Sequence, residues 1–273
     1  MNRATYVISR FYTKLVLRNP VTLFAMAGMI AYSALTSSND IAIFQHNAEQ
    51  LNVLEVIFYI FNSQLYTTYG LFFPFLFVVF PMFYAKDLER LIAWRAYRRS
   101  DIWTAKVFAI MQITIMFLGV ALFIVLAAVL PNYPFSLEWS DAFGQLVRES
   151  ARPSLLNQSE YLYWEYNPLS VAIVQTLLFL VGFMLVGVLG AVLVQLFERQ
   201  MVAFIAVSLY WIVALVPCMV PSTLVFLSPA THLVLHTRSL QFPFALSFLY
   251  FASALVIFVI FGSLRAQKIN LGE

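Results

Sequence analysis

The chain alternates long apolar runs with shorter polar ones. Six runs stand out: Val21–Leu35, Tyr69–Ala85, Val107–Leu130, Leu169–Phe197, Met201–Val220 and Phe244–Leu264. With their flanks they define spans at 20–36, 69–85, 106–130, 169–197, 201–220 and 244–264. None alternates apolar and polar at every second residue, so the pattern predicts helices and not barrel strands. A hydrocarbon core of about 30 Å takes about 20 apolar residues per helix. The first run is short for this and is extended by Asn19 and by Thr36-Ser37. The expected fold is an all-α integral membrane protein with six transmembrane helices, a single transmembrane domain over residues 1–273.

Composition agrees with the pattern. The chain is 62% hydrophobic and 11% charged, where a soluble domain carries about 25% charge. Too few charges remain to cover a soluble globule, which excludes a soluble enzyme, a disordered chain and a disulfide-stapled domain. Cys218 is alone, so no intrachain disulfide can form. The net charge of +3 on so apolar a chain gives no reason to expect nucleic acid as a partner.

The placement of the charges is more informative than their sum. All of the 16 Lys and Arg except Arg148, Arg152 and Arg238 fall before span one, between spans two and three, between spans four and five, or after span six. The positive-inside bias puts both termini and these two connections in the cytoplasm. An even number of spans makes that assignment self-consistent. The basic lead before span one is long and no clear small-residue cleavage site follows. An uncleaved first span is therefore expected, not a signal peptide.

The outer segments are the longer ones. Residues 37–68 contain Leu51, Leu54, Ile57 and Phe58 at helical spacing, which predicts a short helix lying at the outer interface. Residues 131–168 hold Trp139, Tyr161, Tyr163, Trp164 and Tyr166. Such a cluster fits an interfacial anchoring belt, and it also fits a rim at a substrate exit. Residues 221–243 are broken by Pro221, Pro229 and Pro243 and are mostly apolar in the middle. That pattern predicts an outer segment that dips back into the membrane, since proline breaks at depth need protein or water to satisfy the freed backbone.

On the inner side, residues 1–19 read as an amphipathic helix. Ala4, Val7, Ile8, Phe11 and Leu15 share one face, edged by Arg3, Arg10, Lys14 and Arg18. Asn19-Pro20 ends it and turns the chain into span one. Anchoring on anionic lipid and contact with a cytoplasmic partner both fit this helix. The connection at 86–105 is compact and carries both signs of charge: Lys86, Asp87, Glu89, Arg90, Arg95, Arg98, Arg99 and Asp101, with Lys106 at its end. Mixed charge on a short stiff element suits protein docking. Ser100 and Asp101 are expected to cap the helix of span three.

In its whole plan the chain resembles the membrane subunits of ABC exporters of the type-2 permease class. The shared features are the elbow helix, six spans with both ends inside, a short helical loop between spans two and three, and a broken outer segment before span six. Asp87, Arg98-Arg99-Ser100, Trp103 and Lys106 match that family's loop pattern. The usual glycine after the acidic residue and the proline before Arg-Ser are missing. The resemblance implies an exporter permease that works with a separate cytoplasmic ATPase holding ATP and Mg, and with a second permease subunit as homo- or heterodimer. It places the ATPase-docking surface on Arg3, Arg10, Lys14, Lys86, Asp87, Glu89, Arg95, Arg98, Arg99 and Asp101.

The chain itself has no G-x-x-x-x-G-K-[ST] phosphate loop, so it is read as a non-enzyme with no cofactor of its own. Its 27 Phe among Leu and Val fit a hydrophobic or amphipathic cargo such as a peptide, antimicrobial, lipid or drug-like compound. The expected location is a bacterial plasma membrane, with lipid as a further partner.

Other readings rest on fewer residues. An ion-coupled secondary transporter needs ionisable groups at mid-membrane, where this chain has mainly Gln112, Gln175 and Gln195, read as interhelical hydrogen-bonding groups. His232 and His236 are four apart but lack the further ligands of a metal site. A non-transporting scaffold or sensor remains an alternative. Gly182, Gly187, Gly190 and Ala191 fit either a dimer interface or packing within the chain. Pro74, Pro81 and Pro217 are expected to kink spans two and five.

Overall fold

The computed structural model describes residues 3–18, 20, 23–24, 27–32, 34–36, 51–63, 66–84, 99–143, 166–219, 228–233 and 244–268. Among them the regular structure is helical throughout, with no strand. The helices are α1 (Arg3–Leu17), α2 (Val53–Asn62), α3 (Phe73–Val79), α4 (Arg99–Val129), α5 (Pro168–Phe197), α6 (Gln200–Met219), α7 (Pro229–Leu233) and α8 (Phe244–Lys268). A π-helical stretch, Tyr66–Phe72, leads into α3, and a 3₁₀ stretch, Phe80–Tyr84, follows it.

Four helical stretches among the described residues are long and apolar enough to cross a membrane: Tyr66–Phe83, Ser100–Val129, Pro168–Phe197 and Phe244–Gln267. They coincide with expected spans two, three, four and six. The described apolar stretches over the first and fifth runs, Ala27–Thr36 and Gln200–Leu215, are shorter. The chain is thus a membrane protein by its helices.

The two prolines of span two explain its segments. Proline has no N–H and its ring crowds the carbonyl four residues back. For Pro74 that residue is Gly70, which lies within the π stretch, where the wider turn relieves the crowding. Pro81 sits in the 3₁₀ stretch that replaces the α-helix from Phe80 onward. Helix α6 runs on through Pro217.

Helix α5 is the hub, packing against α2, α3, α4, α6, α7 and α8. Asn167 caps its start, the side chain accepting the Ser170 N–H at 2.7 Å, with Pro168 in the first turn. Its end is a tight turn in which Glu198 takes a left-handed conformation (φ 55°) and donates its N–H to Val194 O. Glu198 and Arg199 are exposed, as a polar turn should be.

The glycines of α5 serve packing within the chain. A Cβ on Gly182 would meet Leu233 of α7 at 2.7 Å, one on Gly187 would meet Ile110 of α4 at 2.6 Å, and one on Gly190 would meet Phe83 at 3.2 Å. Small residues let neighbouring helices approach this closely. Gly262 of α8 does the same for Trp103 of α4, whose ring lies 2.1 Å from where a Cβ would stand.

Two expectations about boundaries change. The helix of span three begins at Arg99, so residues 99–105 belong to α4 and not to a loop. Ser100 and Asp101 therefore lie inside the first turn and do not cap it. The expected outer helix exists as α2, but it is not laid on a surface. Val53–Phe58 and Ile60–Asn62 are all buried, against α4 and α5. Its apolar side chains face protein on every side, which a one-sided spacing argument cannot anticipate.

Candidate functional site

The described residues form two ends. At one end, α1 packs on α4 and on the Phe80–Tyr84 stretch. The face it buries is Thr5, Ile8, Ser9, Tyr12 and Val16. This is rotated from the expected apolar face. Val7 is 59% exposed, and Tyr6 and Leu17 are also exposed. Ser9 can be buried because the helix itself satisfies its hydroxyl, which donates to Tyr6 O at 2.9 Å; half-buried Thr13 likewise donates to Ser9 O at 3.1 Å.

Three contacts tie this end together. The Thr13 hydroxyl also reaches Gln112 Oε1 of α4 at 2.9 Å. The Lys106 ammonium, on a nearly buried side chain of α4, lies 5.9 Å from the Tyr12 ring centroid, a cation–π distance. Gln200, opening α6, donates its side-chain amide to Phe83 O. Helix α1 thus touches both the stretch that ends at Tyr84 and the helix that starts at Arg99.

The expected docking residues divide accordingly. Arg10 and Lys14 are exposed on α1, with Arg18 beyond them. Arg3 and Arg99 open α1 and α4, and Asp101 is half-buried in the first turn of α4. Lys86, Asp87, Glu89, Arg95 and Arg98 lie outside the described residues.

The opposite end is closed by a polar knot around Glu55, which the sequence did not single out. Its side chain is fully buried. Asn52 and Glu55 form a reciprocal capping box at the start of α2. The backbone N–H of Asn52 donates to Glu55 Oε2 at 2.8 Å. Ser140, from the segment after α4, donates its N–H to Oε1 and its hydroxyl to Oε2, the latter at 2.8 Å. Asn52 returns a bond to Glu138 O at 2.8 Å. Burial pushes the Glu55 carboxyl above its ordinary value, and the bonds from Ser140 and Asn52 only partly offset this.

Aromatic rings close the same end. Trp139 stacks on Phe143 at 4.5 Å, meets Phe58 edge-on and donates its indole N–H to Tyr166 O at 2.6 Å. Tyr166 in turn packs on Phe244 at the start of α8. Trp139 and Tyr166, both half-buried, therefore link the segment after α4 to α2 and to the start of α8. Tyr161, Tyr163 and Trp164 lie outside the described residues.

Between the ends, α7 sits inside the bundle with all five residues buried. Ser228 donates its hydroxyl to Ala214 O of α6, and Leu233 lies against Gly182, near the middle of α5. His232 shares a hydrogen bond with Ser247 Oγ at 3.0 Å and stacks on Tyr250 at 4.3 Å. His236 lies outside the described residues, and no group of three or more metal-ligating side chains occurs among those described. Of the three glutamines, Gln112 bonds between helices, but as the acceptor of the Thr13 hydroxyl and not as a donor. Gln175 Nε2 and Gln195 Oε1 find no partner among the described residues.

No family model matches the chain, and no curated protein and no solved structure matches it.

Proposed function

We propose that the chain is the permease subunit of an ATP-driven exporter of the ABC type-2 class. It spans the plasma membrane six times, carries a hydrophobic or amphipathic cargo outward, and draws its energy from a separate ATPase subunit beneath a permease dimer. The observation that carries the reading is the packing of α1 against both the Phe80–Tyr84 stretch and α4, the elements that flank residues 85–98 in sequence. A push on a docking element held there is transmitted to spans two and three through packed side chains, because α1 is bonded to α4 through Thr13 and Gln112. The burial of α7 against mid-α5 supports a re-entrant outer segment before the last span.

The test is co-purification with the cognate nucleotide-binding ATPase, with and without Arg98→Glu, Arg99→Glu and Asp101→Lys. Charge reversal is expected to release the ATPase while the permease still inserts in the membrane. A chain that purifies alone and transports without ATP overturns the proposal.

A further inference from the structure

The end of α1 borders a groove of about 420 Å³. It is walled by α1, the helical residues 23–24 and 27–30, α3 and α4. Leu17, Phe24, Val78, Ile113, Met116 and Val120 are among its lining residues, and among the described residues no polar side chain lines it. Its volume falls in the range of about 300–1,000 Å³ common to ligand sites. The groove opens outward where Phe24 is 79% exposed and Val120 51% exposed.

The mouth differs in character from the walls. At about 100° per residue, Arg10, Lys14 and Leu17 fall within about 60° of one another on α1. All three are exposed, and Leu17 also lines the groove. Arg18 follows immediately and is exposed too. Helix α1 has no acidic residue to neutralise these charges. The site is thus an apolar trough with a cationic lip at one end only. Its complement is an amphiphile with an anionic head and a hydrocarbon tail.

We infer that this groove holds one acyl chain of an anionic phospholipid of the cytoplasmic leaflet, its phosphate placed over Lys14 and Arg18 with Arg10 within reach. The inference rests on the membrane-spanning, basic-side-inward part of the proposed function, and not on the ATPase. A second copy of the chain is a poorer complement, because it would have to bring a hydrocarbon tail and an anion together at this spacing. A bound lipid would wedge the α1–α4 joint and make the elbow sensitive to leaflet composition. Each basic residue near such a surface contributes about 1 kcal/mol, roughly five-fold in binding.

The experiment is native mass spectrometry of the full chain in detergent, titrated with phosphatidylglycerol and phosphatidylcholine of identical acyl chains. The wild type is expected to retain phosphatidylglycerol preferentially. Arg10→Gln/Lys14→Gln/Arg18→Gln is expected to abolish that preference, at about five-fold per charge. Val120→Trp, and Ala27→Leu from the opposite wall, should lower retention of both lipids, and two filling variants guard against one misfolding. Equal retention of the two lipids by the wild type overturns the inference. So does a preference that survives the triple substitution, or retention unchanged by filling the groove. Lipid retention is read without any ATPase. These shifts in a chain that binds no ATPase would leave the lipid site standing and overturn the transporter reading alone.

Discussion

Ser140 donates both its backbone N–H and its hydroxyl to the carboxylate of Glu55, a buried side chain 85 positions earlier in the chain. The pair fastens the segment after α4 to the first turn of α2. Hydrogen bonds to a charged group contribute about 1.5–3 kcal/mol each when formed, and a buried group left unpaired costs a similar amount. Glu55→Gln replaces one acceptor oxygen with an amide donor aimed at N–H groups. It is expected to destabilise the chain by about 1–3 kcal/mol, read as a lower thermal midpoint in detergent. Ser140→Ala removes only the hydroxyl bond and should cost less.

Burial of Glu55, only partly offset by the bonds from Ser140 and Asn52, makes stability depend on pH in a fixed direction. The folded carboxyl holds its proton to a higher pH than an unfolded one of ordinary value 4.5. Its contribution is therefore complete below pH 4.5 and is lost as pH rises through the folded value. The wild-type midpoint, taken relative to Glu55→Gln, is expected to fall across that window as pH increases. An advantage of the wild type that grows with pH would contradict the assignment.

Much of the bundle is legible from the chain alone, for particular reasons. Spans two, three, four and six are continuous apolar runs, and Glu198-Arg199 is a charged pair between spans four and five. Other features depend on partners distant in sequence. Nothing in the sequence distinguishes Glu55 from the other carboxylates until Ser140 is placed against it. Thr5 and Ser9 read as polar, yet lie on the buried face of α1 because Ser9 bonds its own backbone and α4 covers both. Spacing also cannot tell a helix with one lipid face from one enclosed on every side, which is why α2 differs from expectation. The glycines of α5 stand out in the sequence, but only their neighbours show that they serve packing within the chain.

Gly262 and Trp103 give a sharper test of such packing. Trp103 is 2% exposed and donates its indole N–H to Val259 O at 2.9 Å, one turn before Gly262. A Cβ at Gly262 would fall 2.1 Å from the indole ring, so Gly262→Ala must push α8 away or turn the ring off its bond. Overpacking of this kind costs about 1–3 kcal/mol. Gly119→Ala is the control, since nothing lies within 4 Å of a Cβ there. It should be neutral or stabilising by up to about 1 kcal/mol, as alanine is the better helix former. Equal midpoints for the two variants would refute the close α4–α8 approach.

The elbow should loosen in steps. Thr13→Val keeps the shape of the side chain and removes the bond to Gln112, an expected loss of about 1 kcal/mol. Tyr12→Ala removes a fully buried ring and the surface beneath Lys106, an expected loss of about 3–5 kcal/mol. Proteolysis in mild detergent is the direct reading, with cleavage in residues 3–18 rising from wild type to Thr13→Val to Tyr12→Ala. Protection that does not follow this order would show that α1 is not held by these contacts.

The two ends of the bundle are distinct before a membrane side is assigned to either. Gln200 bonds Phe83 at the end that bears α1, and Trp139 bonds Tyr166 at the end that bears α2. The bias of Lys and Arg predicts that the α1 end faces the cytoplasm. Single cysteines in a Cys218→Ser background decide the matter. Exposed positions 14 and 199 mark one end, and exposed positions 132 and 141 mark the other. An impermeant maleimide added to intact cells is expected to label 132 and 141 at once, and 14 and 199 only after the membrane is opened. Labelling of 14 and 199 in intact cells would reverse the orientation. It would then remove any cytoplasmic docking role from Arg10 and Lys14. Labelling of all four from one side would mean that α5, which lies between positions 141 and 199, does not carry the chain across the membrane.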